Sequence, residues 1–85
     1  MEVSMFYGIR VTIEHDASLP PFYTASYDDH IARILIEDTI VWDGELPRRQ
    51  LFMAIAWGII HHDELMEAWE MARDGKAYGA IAPLR

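Results

Sequence analysis

With 85 residues, of which 52% are hydrophobic and 25% charged, the chain is sized for one core and is not compositionally disordered. It has no cysteine, which excludes a disulfide scaffold, a thiolate zinc site and a cysteine nucleophile. Fourteen acids against seven bases leave a net charge of -7, so neither a nucleic-acid backbone nor an anionic membrane is expected as a partner.

Tyr7, Ile9, Val11 and Ile13 alternate with Gly8, Arg10, Thr12 and Glu14, the period of a strand with one wet face. Ser18-Leu19-Pro20-Pro21 ends it, because consecutive prolines cannot donate to a ladder. Aromatic and β-compatible residues from Phe22 to Tyr27 predict a second strand, and Asp28-Asp29 a tight reversal into a third, His30 to Glu37. Thr39 to Trp42 reads as a short fourth strand, stopped by Asp43-Gly44. Pro47 suits the first turn of a helix, and Arg48 to Ile60 is the first helix. Asp63 and Glu64 suit the positive end of a second helix, in which Leu65, Trp69 and Ala72 recur at helical spacing and Gly75 caps the end. Lys76 to Arg85 is too punctuated by glycine and proline for a helix and is expected to lie extended across the core through Tyr78 and Ile81.

The expected fold is therefore a single α+β domain: a four-stranded antiparallel meander followed by two α-helices packed on one face. Residues 1–46 form the sheet half, 47–75 the helices and 76–85 the tail. The charge follows the same division, since residues 1–46 carry nine acids and two arginines while 47–85 carry five of each sign. The longest apolar run, Leu51 to Ile60, is too short for a bilayer, which takes about 20 residues, and the N-terminus lacks a signal-peptide pattern. A cytoplasmic protein is expected.

The stretch Phe6-Tyr7-Gly8-Ile9, the Pro20-Pro21 pair before an aromatic strand, Leu46-Pro47-Arg48-Arg49, Trp57 followed by His61, and Glu64-Leu65-Met66-Glu67-Ala68-Trp69-Glu70 resemble the small bacterial family catalogued as domain of unknown function 4160. The resemblance implies a short α+β domain often encoded beside a second small protein, in arrangements suggestive of toxin and antitoxin pairs or mobile cassettes. It also implies a His-Phe-His-Ala pattern after the double proline. This chain departs from it with Phe22, Tyr23, Thr24 and Ala25, with Ser18 upstream, so no catalytic residue carries over.

Few residues have the types that chemistry needs. His61-His62-Asp63-Glu64 holds metal-ligand side chains, but adjacent histidines point about 100° apart on a helix, and a pair sharing one face needs i and i+4. His61 with Glu64 makes only two ligands, so helix-junction capping is the better account. Asp28-Asp29-His30 with His15-Asp16 could set an imidazole beside a carboxylate, yet no nucleophile accompanies them, and turn chemistry explains the acids. The aromatics Tyr7, Phe22, Tyr23, Tyr27 and Trp42 lack interleaved bases for stacking nucleic acid, since the sheet half has only Arg10 and Arg33. No catalytic residue, cofactor or metal is expected.

Two features point to partners instead. Arg48 and Arg49 oppose the macrodipole at the start of the first helix, which suggests an anion or partner contact, or pairing with Glu45 or Asp43. The helix is also apolar all round. Leu51, Ala54 and Ile55 form one stripe, Met53, Trp57 and Ile60 a second, and Phe52, Ala56 and Ile59 a third. The resemblance implies that the positions of Phe52, Ala56 and Ile59 are commonly charged in relatives. A homo-oligomer, most simply a dimer, is expected on Phe52, Ala56, Ile59, Met53, Trp57 and Ile60, unless the tail folds back through Tyr78, Ile81 and Leu84 to cover the third stripe. The expected function is a small acidic protein-interaction module of a two-protein system, binding a small protein encoded by a neighbouring gene and itself. The alternative is a small-molecule-binding or hydrolytic domain with a pocket between sheet and helices.

Overall fold

Tight reversals between short strands organise the sheet half. The computed structural model describes residues 1–16 and 18–85. Five strands follow one another, β1 (Glu2–Phe6), β2 (Ile9–Thr12), β3 (Phe22–Tyr27), β4 (His30–Leu35) and β5 (Val41–Gly44), before α1 (Arg48–Ile60) and α2 (His62–Arg73). All neighbours pair antiparallel in the order β1-β2-β3-β4-β5, a meander.

The sheet has five strands, not the four expected, and the difference lies at Tyr7-Gly8. These two residues are the loop of a hairpin, with φ of 49° and 79°, joining Phe6 to its partner Ile9. Two consecutive positive φ values match the right-handed twist of the flanking strands, and glycine takes the second at no steric cost. Tyr7, expected on the buried face of the strand, is consequently 63% exposed in the turn, whereas Ile9, Val11 and Ile13 are buried. The preceding strand β1 escaped the periodicity because a bulge between Glu2 and Ser4 interrupts it, leaving Val3 and Ser4 both buried. Farther along, β4 ends at Leu35 rather than Glu37, and β5 starts at Val41 rather than Thr39. The chain turns through residues 36–38, and Thr39 takes a φ of 54°. That left-handed conformation is costly for a β-branched residue and cannot continue a ladder.

One face of the sheet carries Phe6, Ile9, Val11, Tyr23, Ala25, Ala32 and Ile34, all buried and in facing registers. Helix α1 lies over it through Ala54, Trp57 and Gly58, and α2 adds Leu65, Ala68 and Trp69 to the same core. Aromatic contacts bind the layers. The Trp57 ring lies 5.6 Å from that of Phe6 and 5.8 Å from Tyr23, while Trp69 lies 5.3 Å from Phe22 and 5.1 Å from the His15 ring. The opposite sheet face is wet and carries the Arg10–Glu2 ion pair at 2.9 Å and the Arg33–Asp43 pair. The Arg33 guanidinium holds the Asp43 carboxyl below its usual range.

Tyr23 is the closest join between layers. Its hydroxyl donates to the Ala54 carbonyl at 3.0 Å from a fully buried position, and burial pushes the phenol well above its ordinary pKa. Gly58, one turn on, must be a glycine, because a Cβ there would overlap the Tyr23 hydroxyl. The tail, residues 76–85, forms no helix or strand and is tied down at two points. The Ile81 N–H donates to the Val3 carbonyl at 2.7 Å, the Trp57 indole N–H to the Ala82 carbonyl at 2.8 Å, and Ile81 is buried.

Gly58→Ala is expected to destabilise the protein by about 1–3 kcal/mol, the usual cost of overpacking. Combining it with Tyr23→Phe removes the closest overlap and leaves only ring carbons near the new Cβ, so the double variant should lose less than the sum of the two single losses in chemical denaturation. Ile81→Asp should release the tail. A red shift of tryptophan emission, as Trp57 loses its cover, accompanied by a stability loss of about 2–4 kcal/mol, is the expected readout.

Candidate functional site

The rotation of α1 about its axis decides which residues reach solvent. Because Ala54, Trp57 and Gly58 face the sheet, the opposite side presents Phe52, Ala56, Ile59 and Ile60. Phe52 is 57% exposed, Ile59 61% and Ile60 66%. At 100° per residue Phe52, Ala56 and Ile59 fall within about 60° and Ile60 extends the sector to about 100°, so they form a continuous exposed face rather than scattered apolar residues. Met53 borders the stripe and is half-buried against the core. Trp57, assigned to the same interface from sequence, is corrected: it is wholly buried between Phe6, Tyr23 and the tail and offers no surface. The tail does not cover the stripe, because its buried contact is made at Val3 and its Leu84 packs beside Met53 on the flank.

Arg48 and Arg49 stand at the N-terminal end of the stripe. Neither pairs with Asp43 or Glu45, and neither makes an ion pair among the described residues; Asp43 is taken by Arg33. The Arg48 guanidinium lies 5.3 Å from the Phe52 ring centroid, so it caps the apolar face with positive charge. No acid lies in the first turn and no side chain caps the helix start. The two arginines therefore add to the positive end of the macrodipole with nothing local to offset them.

Arg49 also borders an open groove of about 600 Å³, lined by Tyr7, Arg49, Gln50, Met53, Leu84 and Arg85. The groove lies where the β1–β2 turn, α1 and the tail meet, not between sheet and helices as the alternative reading expected. The sheet–helix interface is filled by aromatic and aliphatic side chains.

The remaining candidates do not assemble. His61 Nδ1 meets Glu64 Oε1 at 2.6 Å and its ring lies 5.3 Å from Trp57, so the pair staples the helix junction. No group of three or more histidine, cysteine or acidic side chains able to hold a metal ion occurs among the described residues. Asp28 and Asp29 form the β3–β4 turn, with Asp28 lining a small surface pocket together with Arg10 and Gly8, while the His15 ring meets Trp69 edge-on. Asp16 accepts from the Ser18 N–H at 2.9 Å and hydroxyl at 2.7 Å, a local turn that holds its carboxyl low. Phe22 and Tyr23, where the resemblance implies a histidine and a phenylalanine, are core residues, and Thr24 is half-buried beside Arg33. Among the described residues, no helix is long and apolar enough to cross a membrane.

Sequence reasoning missed the groove, because nothing local signals that residues 84 and 85 return to α1. It read Asp63 as a helix-start acid and as part of the His61–Glu64 cluster, and not as the fully exposed charge that follows the stripe.

Searches of curated proteins and of solved structures returned no match. A family model described as a domain of unknown function, DUF4160, matches residues 8–70, which take in the sheet from the first hairpin turn onward, α1 and most of α2. With well over half of its length matched, the chain belongs to the DUF4160 family.

Proposed function

We propose that the protein is a small acidic interaction module that self-associates through the outer face of α1 and binds a protein partner. The resemblance suggests a setting for it, a two-protein system of the toxin and antitoxin or mobile-cassette kind. The observation that carries the reading is the exposure of Phe52, Ile59 and Ile60 on one side of a helix whose other side is the core. Burying each large side chain against a second molecule contributes about 1.5–3 kcal/mol. The space between sheet and helices is filled by apolar and aromatic side chains, which supports a binding module that works through its surface. The excess of acids over bases directs the partner choice toward protein rather than nucleic acid.

Light scattering on a sizing column should give a dimer at micromolar concentration, and Phe52→Glu should give a folded monomer. A monomeric parent chain, or a dimer unaffected by Phe52→Glu, would overturn the self-association. Pull-down with the product of the adjacent gene tests the partner.

The groove supports a second reading, a small-molecule site for an anion, because two arginines, Arg49 and Arg85, line it together with Tyr7 and Gln50. That reading requires inorganic phosphate to raise the thermal midpoint and Arg49→Ala to reduce the rise. An unchanged midpoint at saturating phosphate removes it.

A further inference from the structure

Resting on the self-association proposed above, we infer that a second copy of this chain docks antiparallel, α1 against α1, about a two-fold axis at Ala56, with Arg48 and Arg49 of each copy clasping Asp63 of the other. Three observations fix this geometry.

The first is the position of the charges relative to the apolar stripe. Arg48 and Arg49 precede Phe52, and Asp63 follows Ile60, so the stripe runs from a positive end to a negative one. Ala56 is its midpoint, seven residues from Arg49 and seven from Asp63. The helical rise sets Arg49 about 10 Å from Ala56 along α1, and Asp63, in the first turn of α2, follows three residues after the other end of the stripe. Antiparallel pairing about Ala56 sets Phe52 opposite Ile60 of the second copy, Met53 opposite Ile59, and alanine opposite alanine where the backbones come closest.

The second is that these charges lack strong partners within the chain. Arg48 and Arg49 make no ion pair among the described residues, and Arg48 already lies over the rim of the stripe against Phe52. The Asp63 side chain is fully exposed, its one contact being His62 Nδ1 at 3.2 Å. Glu64, by contrast, is held by His61 and stays out of the clasp.

The third is that charge excludes the competing geometry. Parallel pairing of the same stripe would bring two pairs of arginines together at one end and two aspartates at the other. Antiparallel pairing brings each aspartate between two arginines, twice per dimer, and also sets the uncapped positive start of α1 against the acid of its neighbour. Both partners of such a pair sit at the rim of an apolar contact, where charge complementarity selects orientation and register.

The test is a charge swap read by native mass spectrometry and light scattering. Arg48→Glu with Arg49→Glu in one chain, and Asp63→Arg in another, should each weaken homodimerisation by about tenfold or more, because each sets like charges at both ends of the interface. An acid in the first turn favours α1, so circular dichroism should find the first variant folded. Mixed one to one, the two variants should form a heterodimer, in which both clasps are restored with reversed sign at one end, and the triple variant in a single chain should recover the homodimer. If the parent chain is a dimer and both charge variants dimerise undiminished, or if the mixture forms no heterodimer, the antiparallel clasp is overturned while self-association stands. A parent chain that is monomeric overturns both.

Discussion

The packing of α1 on Tyr23 is the constraint from which the exposed surface follows. A fully buried phenol that must place its hydroxyl on the Ala54 carbonyl leaves room for no side chain at position 58, and Trp57 is driven beside it into the core. With Ala54, Trp57 and Gly58 committed inward, a helix that is apolar on every side has no choice about what it shows to solvent. The stripe of Phe52, Ala56, Ile59 and Ile60 is thus a geometric consequence of one buried hydrogen bond and one absent Cβ.

The tail extends the same logic. Trp57 is long enough to cross the layer, and its indole N–H reaches the far side, where the Ala82 carbonyl satisfies it. A buried indole donor without a partner costs free energy, so the tail contributes both apolar cover through Ile81 and a needed acceptor. Its path along Val3 at the β1 edge also shields part of a strand that would otherwise present unpaired backbone groups. Because the tail takes the β1 side, it is not available to the α1 stripe, and that face is left apolar and open.

Charge is distributed with the same division of labour. Two arginines of the sheet half are spent locally, Arg10 on Glu2 and Arg33 on Asp43, leaving that half with a broad acidic surface. At the helix junction, His61 with Glu64 and the stacking of His61 on Trp57 tie α1 to α2 without using Asp63. Arg48 and Arg49, which make no ion pair among the described residues, and the fully exposed Asp63 bracket the apolar stripe. An apolar strip with opposite signs at its two ends is complementary to itself in one direction only.

Much of this was legible from local sequence. The turn chemistry of Asp28-Asp29, the aromatic run at Phe22–Tyr27 and the proline before Arg48 set the bounds of β3 and α1 as the structure has them, because each depends on backbone preferences of a few neighbouring residues. The first hairpin was not legible, since Gly8 fits the wet face of an alternating strand as well as it fits a left-handed turn, and only pairing with β1 separates the two. The sequence likewise determined that α1 is apolar on every side from Leu51 to Ile60. Which stripe stays outside was decided by tertiary structure alone, because the choice between Trp57 inward and Trp57 outward rests on a cavity shaped by Phe6, Tyr23 and Ala82, residues drawn from both ends and the middle of the chain.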